Sequence, residues 1–71
     1  MSFDLSRLGI ALALAVPLPP GFKMVVRRVA HDVSRPLHVT VVRCAPHGLE
    51  FLHGCSLTVP LSPEELADWL R

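Results

Sequence analysis

Four histidines and two cysteines fall within residues 31–55 of a 71-residue chain, and they are the side chains with most chemistry to offer. The string Cys44-x2-His47-x5-His53-x-Cys55 sets metal-capable groups at close intervals. Zinc requires about four such ligands converging at ~2.0–2.3 Å. If Arg43 faces Glu50 across a hairpin, Leu49 lies opposite Cys44, and Cys55 falls ~20 Å further along at the rise of a strand. That distance excludes a shared metal, and equally a disulfide, unless the strand folds back at Gly54. A smaller zinc-capable cluster survives, in which His38 pairs with Cys55 and His53 shares their face. The same His38 and Cys55 could form a base and a nucleophile, but so small a sheet offers little depth for a cleft. Two buried thiols and surface imidazoles are the simpler expectation, because cysteine in a strand usually acts as a small hydrophobe. No catalytic residue, metal ligand or cofactor is therefore assigned. His31 and Asp32 are adjacent, so in a strand they would point to opposite faces and could not act together.

The basic residues Lys23, Arg27, Arg28, Arg35 and Arg43 could gather on one sheet face and contact nucleic acid. RNA-binding sheets add exposed aromatics for base stacking. Here tyrosine is absent, and Phe22, Phe51 and Trp69 sit in apolar contexts. A net charge of +1 gives little electrostatic drive, so nucleic acid is a disfavoured partner. The four glycines are scattered singly, which excludes a glycine-rich phosphate loop.

Four clusters of turn residues divide the chain into five short elements: Pro17 to Gly21, Ser34 to Pro36, Ala45 to Gly48 and Pro60 to Pro63. The last element reads as a helix. Ser62 is a good N-cap, Pro63 suits the first helical position, and Glu65 completes a capping box. Leu61 and Leu66 are placed for a hydrophobic staple, and Leu66, Trp69 and Leu70 share a face. Before it, residues 37–44 and 49–59 read as two strands joined by a type I turn with Pro46 and Gly48 at its second and fourth positions. Gly54 marks a bulge or bend. Residues 24–31 read as a third strand whose alternation is spoiled by the pairs Val25-Val26 and Arg27-Arg28.

Residues 5–16 fit two patterns. As a helix they place Leu5, Leu8, Leu12 and Val16 on one stripe, with Phe3, Ile10 and Leu14 on another. As a strand, Ile10, Leu12, Leu14 and Val16 alternate with Gly9, Ala11, Ala13 and Ala15. The helix propensity of alanine and leucine favours the first. The apolar run over residues 8–16 loosely imitates a signal peptide, but Asp4 offsets Arg7 and prolines stand where a cleavage site should be. It is also too short to span a membrane, so it belongs to the fold.

The expected architecture is a single α+β domain over residues 1–71. It comprises a small antiparallel β-meander of three strands, or four, a capped C-terminal helix, and an N-terminal helix packed on the sheet. Two cysteines are too few for a secreted disulfide framework, which points to the cytoplasm. Hydrophobic residues make up 51% of the chain and charged residues 18%. So small a domain buries only about 60% of its unfolded surface. Apolar side chains left over would form a contact surface, assigned to Ile10, Leu12, Leu14, Val16 and Val25 with Arg27 and Arg28 beside them. The expected partner is another protein or a second copy of the chain, with no membrane. This size class includes small regulators and inhibitors, such as phage-encoded inhibitors of host machinery. The alternatives are a nucleic-acid-binding module on the basic face and a zinc module using His38, His53 and Cys55.

Overall fold

The computed structural model describes residues 3–28 and 35–70. It is mostly β. Five antiparallel strands form one curled, half-barrel sheet in the order β1-β2-β5-β4-β3, with one short helix at the C-terminal end. The strands are β1 (Phe3–Leu5), β2 (Gly9–Leu14), β3 (Lys23–Val26), β4 (Leu37–His47) and β5 (Glu50–Leu57), and α1 covers Pro63–Trp69. Strands β2 to β5 have Greek-key order, entered through the long connection from β2 to β3.

This overturns the expected meander with an N-terminal helix. Residues 3–14 form a hairpin that pairs Phe3 with Leu12, Asp4 with Ala11 and Leu5 with Ile10. The period-two alternation decides the outcome. It sends Ile10 and Leu12 into the core, at 3% and 2% exposure, while Gly9 and Ala11 face the other way. Helix propensity separates ordinary residues by only about 0.7 kcal/mol, and burying large side chains outweighs it. The turn is closed by Ser6, whose amide and hydroxyl both donate to the Gly9 carbonyl at 2.9 and 3.2 Å.

The second hairpin forms where expected but with another turn and register. Strand β4 runs on through Ala45 and Pro46, and the loop is Gly48-Leu49 alone. Gly48 has φ +64° and no non-glycine residue described has positive φ, a type II′ pattern. Arg43 therefore faces Gly54, and Glu50 faces His47. A bulge between Val41 and Arg43 lies on the strand opposite Gly54. Strand β3 is shorter than the expected 24–31, and the last three of those residues fall in 29–34, outside the described residues.

One sheet face carries the core: Leu5, Ile10, Leu12, Leu37, Val39, Val41, Cys55 and Leu57 pack with Leu61 and Trp69. Helix α1 is built as its sequence predicts. The Ser62 hydroxyl accepts from the Glu65 amide at 3.1 Å, and Glu65 accepts from the Ser62 amide at 2.9 Å. Leu61 is fully buried and Leu66 packs against the core, while Leu70 caps the helix and is exposed.

Candidate functional site

The register decides which chemistry-bearing residues meet. Cys55 faces Val41 and Ile10, both on the core side, whereas His38 is exposed and faces Val25. His38 alternates with the buried Leu37 and Val39, so it lies on the face opposite His53 and Cys55. The expected zinc-capable trio is not assembled, and among the described residues no three metal-capable side chains gather. His31 and Asp32 lie outside the described residues.

Cys44 and His53 meet instead, directly opposite each other, with Sγ 3.4 Å from Nε2. His53 is fully buried. Its Nε2 accepts the amide hydrogen of Leu18 at 3.0 Å, which requires an unprotonated Nε2 and leaves Nδ1–H facing the Leu12 carbonyl at 3.4 Å. Leu18 belongs to the long connection that carries the chain from β2 to β3. The imidazole thus fastens that crossing to two strands, and the lone pair a general base would use is engaged by the backbone. Burial pushes the Cys55 thiol up from its ordinary value, which suits an inert core residue. Both cysteines are free, and Cys55 is buried.

The basic residues are dispersed, and three of them hold the C-terminal segment. The Arg7 guanidinium donates to the Leu61 carbonyl at 2.9 Å, and the Leu61 amide returns a bond to Arg7 O at 2.8 Å. Arg28 pairs with Asp68 at 2.9 Å and stacks over Trp69, 5.2 Å from the ring centroid. Arg35 binds Glu65 and the carbonyl of Pro60. The Arg35 guanidinium, followed by the Ser62 amide, lowers the Glu65 carboxyl to about 2. Arg28 and Arg35 are therefore fasteners between sheet and helix, not members of an open basic face.

The residues assigned to an interface from sequence divide in the same way. Ile10 and Leu12 are core, and Leu14 packs against it. Val16 and Val25 are exposed at 58% and 46%, Arg27 is exposed, and Arg28 is engaged with α1.

What stands open is the sheet face away from α1. Alternation places Asp4, Gly9, Ala11, Thr40, Arg43, Gly54 and Ser56 there. A shallow trough of about 430 Å³ runs over these small residues, walled by Leu8 and Val42, which are 69% and 60% exposed. Leu52, 39% exposed, continues the face toward the hairpin tip. Arg43 lies along the sheet over Gly54, where a side chain would meet its Cγ and Nε at 3.1 Å. Neither Arg43 nor Asp4 makes an ion pair among the described residues. The sequence points to this face in part: a small sheet with one or two helices leaves Val25, Val42 and Leu52 without evident cover, while the small residues of the floor show only in the strand pattern of residues 9–16. No family model matches this chain, and neither a curated protein nor a solved structure does. No helix among the described residues is long and apolar enough to cross a membrane.

Proposed function

We propose that this chain is a non-enzymatic protein-binding domain that docks through the sheet face its helix leaves bare. The observation that carries the reading is the exposure of Leu8, Val42 and Leu52 around a floor of small residues on that face. Covering such a surface with another protein removes its apolar area from water, which favours docking. Docking of this kind pairs the chain with a second copy or seats it on a larger partner, as suits a regulator or an inhibitor. The residues that could have supported chemistry support the fold instead, His53 by holding the crossing chain and Arg28 and Arg35 by holding α1.

The test is the assembled mass of the tagged chain in an extract of its source cells. The wild type is expected in a complex larger than one chain, and Leu52→Asp is expected to release it while keeping the wild-type circular dichroism spectrum. Migration of the wild type as a free single chain would overturn the reading.

A further inference from the structure

The bare face has a charge arrangement that fits a copy of itself. Four residues stand side by side across four strands: Asp4 on β1, Ala11 on β2, Gly54 on β5 and Arg43 on β4. The row therefore ends in an acid on one side and a base on the other, with the smallest side chains between them. At ~4.8 Å per strand the two charged ends stand ~14 Å apart. We propose, building on the docking role above, that the occupant of this face is a second copy of the chain. The two sheets stack face to face about a two-fold axis running along the strands between β2 and β5.

That axis exchanges β1 with β4 and β2 with β5. Arg43 of each copy, its exposed side chain lifted from over Gly54, reaches Asp4 of the other, and Ala11 is then laid over Gly54. Stacked sheets sit ~10 Å apart, a gap that a long arginine and a short aspartate bridge together. Two ion pairs then flank a contact of small residues, while Leu8 and Val42 supply the apolar walls. The paired charges fix the direction of stacking, since a copy turned end for end would lose both contacts. Lys23, a cation in the neighbouring row with Thr40, Ser56 and Gly9, is on β3 and lies outside the four overlapping strands. A stable interface needs ~800 Å² from each partner. That is about a sixth of this chain's 4914 Å² surface.

Charge reversal tests the register directly, because both residues are exposed and unpaired among the described residues. Purified full-length chains are weighed by sedimentation equilibrium. The wild type should have the mass of two chains. Asp4→Arg and Arg43→Glu should each weaken dimerisation about a hundredfold, since like charges then meet at both contacts. An equimolar mixture of the two variants should recover the two-chain mass, because the mixed pair has opposite charges at both contacts. A monomeric wild type, or a dimer indifferent to both reversals, would overturn the inference. A pure protein of one-chain mass that still enters a larger assembly in cell extract, released by Leu52→Asp, would sink this inference and leave the docking role standing.

Discussion

The two faces of the sheet are made by the same strands, yet they are built from different sizes of side chain. Toward α1 the chain places Ile10, Leu12, Val39, Val41 and Leu57, all buried. On the other face the same strands place Ala11, Thr40, Gly54 and Ser56. The difference shows that an apolar composition need not mean a large core. Alanines count toward the 51% hydrophobic fraction, but each side chain is small, so that even Ala13, buried on the face away from the helix, adds little apolar area. The face that needed a cover received large side chains and a helix. The other received a shallow trough with Leu8 and Val42 at its rim.

The largest expected effect breaks the comparison outright. Ile10→Ala should cost about 2–5 kcal/mol by opening a cavity under Trp69 and Cys55. A domain of this length has only about 4–10 kcal/mol to lose. Val42→Ala, on the bare face, should change the unfolding free energy of the single chain by about 0.5 kcal/mol or less. Urea titrations of both variants, at protein concentrations low enough to keep single chains, read the contrast. Equal losses would mean that the two faces are equally structural.

That contrast also explains what the sequence could reveal. Helix α1 was legible because its signals are local: Ser62, Pro63 and Glu65 satisfy one another within four residues. The first hairpin is hidden in the sequence because alanine and leucine suit both patterns, and its turn, Ser6 to Gly9, carries no Asn-Gly or Asp-Gly signature. Pro46 misled the register of the second hairpin. A proline normally ends a strand, but the outer edge of β4 is paired only as far as Val41, so a missing amide there costs no ladder bond. The neighbours β2 and β5 are joined by contacts far apart in sequence, which no local pattern encodes. The open face was half legible, because alternation gives its residues while only the topology brings Asp4 and Arg43 into one row.

A smaller effect sharpens the comparison from within the core face. His53→Phe fills a similar space but removes the acceptor of the Leu18 amide. A polar group left buried without a partner costs ~1–3 kcal/mol. The loss should appear locally as well as globally. The Leu18 amide should exchange with solvent slowly in the wild type and much faster in His53→Phe, while amides at the centre of β5 change only with overall stability. Unchanged protection at Leu18 would show that the imidazole does not hold the crossing chain.

The smallest effect concerns the fastening of the cover. Glu65 has its carboxyl lowered from 4.5 to about 2, chiefly by the Arg35 guanidinium and then by the Ser62 amide. The folded chain therefore binds this proton less readily than the unfolded chain does. The resulting stabilisation is complete above the unfolded value, declines as pH falls below 4.5, and is gone below about 2. Glu65→Gln keeps an oxygen for the Ser62 amide but loses the charge facing Arg35. The wild type should thus melt a little above Glu65→Gln at neutral pH, with the gap narrowing from pH 5 downward and closing near pH 2. The remaining carboxylates titrate alike in both proteins, so the difference isolates this one. Because the pair is partly exposed, added salt should also narrow the gap at neutral pH. A gap that stays constant across the acid range would mean that Arg35 holds the helix through the carbonyls of Val59 and Pro60 rather than through Glu65.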